Sequence, residues 1–244
     1  MKRALLALGL IAFSIPSARA IVGDAPLADE TIARYAVMVQ TPHGRCTGVV
    51  LAQDLVLTAA HCVYATHFVG IFGPVAGRLF RLAEVMQTVL HPLYDPAKDK
   101  GRVADLALLK LGKPLRNTFG PAFLSPRPVP PRARVVLVGY GMSSAGNRTT
   151  SGTARMTMLR VLNQLNNLLM LSDDTPSAAG VRLGGCGGDS GAPAFAIAGG
   201  VPTLVGIVSA GEQNCSGATF ATPLWPYRDW LVETASKLGS PLSP

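Results

Sequence analysis

Three residues of this 244-residue chain have the types and settings needed for nucleophilic acyl transfer. Ser190 lies in Gly187-Gly188-Asp189-Ser190-Gly191-Ala192-Pro193, a turn glycine-rich enough for its backbone N–H groups to point at a reacting oxygen. A serine hydroxyl is a weak nucleophile at its free pKa, so the turn needs a base and a group that orients the base. Thr58-Ala59-Ala60-His61-Cys62 offers a histidine at the end of the apolar run Val56-Leu57. Val103-Ala104-Asp105-Leu106-Ala107-Leu108-Leu109 offers one acid inside what reads as a buried strand. A carboxylate among leucines is costly to bury unless it is paired and hydrogen-bonded.

In the order His, Asp, Ser, these motifs resemble the trypsin/chymotrypsin-like serine proteases, and the resemblance covers nearly all of the chain beyond residue 20. It implies an all-β fold of two packed six-stranded antiparallel β-barrels with a C-terminal helix. His61 and Asp105 would come from the first barrel and Ser190 from the second, so the site would lie between them. By the same resemblance Ser190 attacks a scissile carbonyl to form an acyl-enzyme, His61 takes its proton and Asp105 fixes the imidazole. The backbone N–H groups of Gly188 and Ser190 would form the oxyanion hole.

Substrate is expected to lie extended against Ser209-Ala210-Gly211, with Gly184, six residues before the nucleophile, at the base of the primary pocket. An uncharged base suits an apolar P1 residue, and Glu212, just beyond the strand edge, reads as a solvated loop residue, the alternative being that it attracts a basic side chain. Ala210 stands where the family usually has tryptophan, and Ala192 where it usually has glycine. The family pattern pairs Cys46 with Cys62 and Cys186 with Cys215. It also makes the free amine of Ile21, in Ile21-Val22-Gly23-Asp24, the partner of Asp189. No cofactor is implied, and no metal: from Asp54 to Glu84 there is no intervening acid to build a calcium loop. The rival reading is a catalytically silent protease homologue acting as a protein-binding module. An esterase of the α/β-hydrolase type is excluded by chain order, which there runs Ser, acid, His.

The elements that must position these residues are legible around them. Residues 1–20, with Lys2-Arg3, an apolar stretch from Ala4 to Ile15 and Ala18-Arg19-Ala20, read as a secretory signal cut after Ala20. The expected organisation is a first barrel over 21–120, a crossover over 121–131, a second barrel over 132–224, and a helix and tail over 225–244. Four cysteines in an exported chain suggest two disulfides. The formal charge is +8, of which Lys2, Arg3 and Arg19 carry three, leaving +5 on a secreted or periplasmic product. That balance suits a solvated basic surface, and no nucleic-acid module or membrane span is visible. The resemblance implies a monomer acting on polypeptide substrates, with protein inhibitors as further partners.

Short apolar runs bounded by turn residues predict strands at Tyr35–Gln40, Thr47–Leu51, Leu55–Thr58, Phe68–Phe72, Glu84–Leu90 and Leu106–Leu111. Others are predicted at Arg134–Val138, Met156–Leu162, Asn167–Leu171, Ala194–Ile197 and Leu204–Ser209. Tyr227–Leu238 carries apolar residues near the 3.6-residue period and predicts an amphipathic helix. Pro121 to Pro131 holds five prolines and cannot continue a central strand. Asp173 and Asp174 are expected in a solvent-facing turn.

Overall fold

The computed structural model describes residues 21, 25–98, 102–165, 167–174, 182–198, 200–212, 214–215 and 217–242, and the expected signal segment lies outside them. Strands β1 (Ala36–Thr41), β2 (Gly44–Ala52), β3 (Leu55–Thr58), β4 (Gly70–Val75), β5 (Arg78–Leu90) and β6 (Ala107–Leu111) close an antiparallel barrel in the order β1-β2-β3-β6-β5-β4. After a two-residue strand, β7 (Phe123–Leu124), come β8 (Arg134–Gly139), β9 (Arg155–Leu165), β10 (Leu168–Ser172), β11 (Pro193–Ala198), β12 (Val201–Gly211) and β13 (Thr219–Pro223). These six close a second antiparallel barrel, β8-β9-β10-β13-β12-β11, with β11 pairing back onto β8. The proline-rich crossover contributes β7, which lies parallel to β12 at Thr203 and Leu204.

The strands nearest the seam are buried on both faces, and that is why their apolar runs are continuous rather than alternating. In β1, Val37 and Val39 turn into the first barrel with Val50, Val56, Ile71 and Leu109. Ala36 and Met38 turn the other way, into a core shared by both barrels. There Leu55, Leu57, Leu106 and Leu108 meet Val138, Tyr140, Phe195 and Ile207. The second barrel has its own interior of Val135, Leu137, Leu159, Leu169, Leu171 and Val208.

Helix α1 (Glu30–Ala33) is capped by Asp29, whose carboxylate accepts the N–H groups of Thr31 and Ile32. Helix α2 (Ala60–Val63) carries His61, and helix α3 (Arg228–Lys237) packs Leu231 and Ala235 into the shared core. Helix α3 is fastened to the first barrel at two points. His91 sits against the rings of Tyr227 and Trp230, at centroid distances of 4.9 and 4.6 Å, while its amide donates to the Leu106 carbonyl at 2.9 Å. Beyond the helix, Ser240 donates to Asp54 at 2.6 Å, and Lys110 Nζ donates both to Asp54, at 2.6 Å, and to Ser240, at 2.7 Å.

Burial holds the His91 pKa below its ordinary 6.5. Below that value the unfolded chain takes up a proton that the folded chain refuses, so stability is lost as pH falls. Chemical denaturation between pH 7 and 5 is expected to show that loss, and His91→Gln is expected to flatten it.

Candidate active site

Strand β3 ends at Thr58, and the short helix α2 then turns His61 toward the seam with its side chain 37% exposed. Its main-chain N–H donates to Asp105 Oδ1 at 2.9 Å, and its ring Nδ1 lies 2.7 Å from Asp105 Oδ2. The hydroxyl of Ser209 donates to the same Oδ2 at 2.6 Å. Asp105 is fully buried, so these three bonds are what make its charge tolerable there. A carboxylate on Nδ1 keeps the ring proton on that side and leaves Nε2 as the basic nitrogen. Asp105 is not inside a strand, as the leucines around it suggest; it follows Ala104, whose φ is +48°, in a turn just ahead of β6.

The Ser190 turn belongs to the second barrel, yet it is tied to β2 of the first. The Ser190 carbonyl accepts the Thr47 N–H at 2.8 Å, and the Gly188 carbonyl accepts the Thr47 hydroxyl at 2.9 Å. Gly191 donates to Val208 at 2.7 Å and takes a φ of +81°. A Cβ there would stand 2.1 Å from the Thr47 carbonyl, so only glycine fits. Cys62 is bonded to Cys46, and its sulfur lies 3.8 Å from both His61 Nε2 and the Ser190 carbonyl. His61 and Ser190 thus border one disulfide. Cys46, His61 and Cys62 bring ligand-type atoms together, but disulfide sulfurs are not the thiolates a metal would need.

A cavity of about 520 Å³ opens beside Ser190. Gly185, Cys186, Gly187, Gly211, Glu212 and Cys215 line it, together with Met142, Gly146 and Arg148. Cys215 is bonded to Cys186. A larger cleft of about 1000 Å³ along Asp29–Tyr35 and Phe119 contains none of His61, Asp105 and Ser190, so size does not mark the site. Gly184 does not border the cavity beside Ser190. It is buried, with a Cβ position 3.0 Å from the Gly217 carbonyl. Gly211 and Gly185 are so close that a Cβ on Gly211 would stand 2.5 Å from the Gly185 carbonyl. Glu212 is exposed at the cavity rim, with Oε1 accepting the Ala218 N–H at 3.2 Å.

Asp189 is fully buried and accepts the N–H groups of Gly141 and Cys186 at 2.8 and 2.9 Å. Burial outweighs those bonds and pushes its carboxyl up to about 7. Ile21 is fully buried as well. Asp173 departs from the solvent-facing turn expected of it. It is 3% exposed, with its carboxylate accepting the Leu183 N–H at 3.0 Å, while Asp174 pairs with Arg160 and Arg134.

Two antiparallel barrels, with a His–Asp pair on one and a serine turn on the other meeting at their seam, are the architecture of the chymotrypsin-type serine proteases. The family model described as Trypsin matches residues 21–231, and the chain belongs to that family. Among its relatives, snake venom serine proteinase 14 of Crotalus adamanteus is 28% identical over 213 residues, covering 81% of this chain and 80% of the relative. The trypsin of Phaedon cochleariae is 28% identical over 212 residues, covering 78% and 79%. In three dimensions the chain matches neuropsin, a serine protease of mouse brain, with a TM-score of 0.71 at 18% identity, over 86% of this chain and 98% of that one.

Sequence reasoning missed Thr47 and the hydroxyl role of Ser209. Thr47 had one available signal, its position next to Cys46. The Ser209 role depends on how β12 docks on the first barrel.

Proposed function

We propose that this protein is an exported serine endopeptidase with a His61–Asp105–Ser190 triad. The observation that carries the reading is the 2.7 Å His61–Asp105 pair, with Ser190 held beside it across one disulfide. In the reaction the Ser190 hydroxyl adds to a peptide carbonyl as its proton passes to His61 Nε2. The C–N bond then breaks as that proton is delivered to the leaving amine, and water hydrolyses the acyl-enzyme by the same route. The N–H groups of Gly188 and Ser190 stabilise the oxyanion, each such donor being typically worth about 3–4 kcal/mol. Substrate main chain runs along Ser209, Ala210 and Gly211, and no cofactor enters the chemistry.

The test is intact-mass analysis after treatment with a fluorophosphonate, in which the Ser190 oxygen displaces fluoride. One adduct that maps to Ser190 is the expected result. A folded sample that takes none belongs instead to a silent homologue acting as a binding module.

The P1 preference follows from the residues that line the cavity. Gly185, Cys186 and Gly187 offer no counter-ion to a charged side chain. Peptides with Ala, Val, Leu, Met or an aromatic residue at P1 are therefore expected to be cleaved faster than those with Arg or Lys. Chromogenic peptides that differ only at P1 measure this. A strong Arg preference would overturn it and assign the selection to Glu212.

A further inference from the structure

We propose that Thr47 is a positioning residue for the acyl-transfer site, its hydroxyl holding the peptide that links the two oxyanion donors. The inference rests on Ser190 being the nucleophile. The peptide between Gly188 and Asp189 lies between the peptides that carry the Gly188 N–H and the Ser190 N–H, so its orientation sets where both donors point. Gly188 has a φ of +98° and no side chain, leaving sterics little hold on this peptide. Hydrogen bonds hold it instead. Its N–H donates to the Cys186 carbonyl at 2.9 Å, and its carbonyl accepts the Thr47 hydroxyl at 2.9 Å.

The direction of the Thr47 bond is forced. A hydroxyl has one proton, and Thr47 Oγ1 already accepts the Tyr140 N–H at 3.0 Å, so the proton is free for Gly188. Thr47 is fully buried, its N–H is spent on the Ser190 carbonyl, and its own carbonyl accepts the Thr58 hydroxyl at 2.7 Å. One residue of the first barrel thereby clamps two segments of the second, Tyr140-Gly141 and Gly188–Ser190. The two are also tied to each other, because Asp189 accepts the Gly141 N–H. Loss of the hydroxyl leaves two polar backbone groups unpaired at the place where the donor geometry is set.

The test compares Thr47→Val, which keeps the shape, and Thr47→Ala, which leaves room for water, with Thr47→Ser, which keeps both the donor and the acceptor. The readouts are kcat and KM on one peptide, and the rate of Ser190 labelling by a fluorophosphonate per folded molecule. Val and Ala are expected to lower kcat and the labelling rate roughly 100-fold, as a misplacement of about 1 Å does elsewhere, with KM little changed and Ser restoring most of the rate. Either folded variant suffices. A variant that is less stable yet labels at the wild-type rate overturns the proposal, because a purely structural role predicts that result. Folded wild type that takes no label overturns the serine-nucleophile reading and the inference with it.

Discussion

Ser190→Ala is expected to lower kcat/KM on the order of 10⁵-fold or more while the unfolding midpoint stays within a degree or two of wild type. Ser190 is half-buried, and no hydrogen bond of its hydroxyl is part of the packing described above, so removing that oxygen costs chemistry rather than stability. His61→Ala is expected to fall comparably, because it removes the group proposed to take the serine proton. The double variant should be little worse than either single one, since the two act as a unit. Burst kinetics on an activated ester, together with thermal denaturation, check both halves of the expectation. Turnover near wild type in either variant would remove the triad assignment.

The second large effect concerns Asp189 and the chain start. A fully buried carboxyl raised from 3.8 to about 7 marks a charge that the two N–H donors do not fully support. Between those two values the folded chain keeps a proton that the unfolded chain has released, so stability falls as pH rises through that window, by about 4 kcal/mol in all. A free Ile21 amine paired with Asp189 reverses the sign. The carboxylate is then stabilised below its unfolded value, and its contribution is present above about pH 4. The amine, raised above its usual value of about 8, contributes below that pH and is lost in alkali. Urea unfolding from pH 4 to 7 is thus expected to weaken a form that retains Ala20 and to spare a form that begins at Ile21. The retained form is also expected to be on the order of 100-fold less active, the scale of losing ordered oxyanion donors. Equal activity and equal pH profiles in the two forms would refute the pairing.

Much of the fold could be read before the structure because β strands buried on two faces announce themselves as unbroken apolar runs. Leu55–Thr58 coincides with β3, and the runs at Arg134 and Met156 fall on β8 and β9. β13 escaped notice because Thr219–Pro223 is short, ends in proline and takes its stability from pairing with β12 and β10 rather than from its own composition. The first half of β5 was missed for a related reason. Arg78 and Arg81 interrupt Leu79, Phe80 and Leu82, so neither an unbroken nor an alternating apolar run marks them. In the site, the types and order of His61, Asp105 and Ser190 are local facts. What surrounds them is not: Ser209 reaches Asp105 across 104 positions and Thr47 reaches Gly188 across 141, and only the docking of the barrels creates those bonds.

The fastening of helix α3 to the first barrel carries a consequence for biosynthesis. Leu106, next to Asp105, is held by His91, which leans on Tyr227 and Trp230, and Asp54 on that barrel accepts the Ser240 hydroxyl. A ribosome therefore has to release some 135 residues beyond the acid, and all of the nucleophile turn, before the acid's support is complete. Chains with both histidine and aspartate already out of the exit tunnel remain unbraced until Ser240 has followed them.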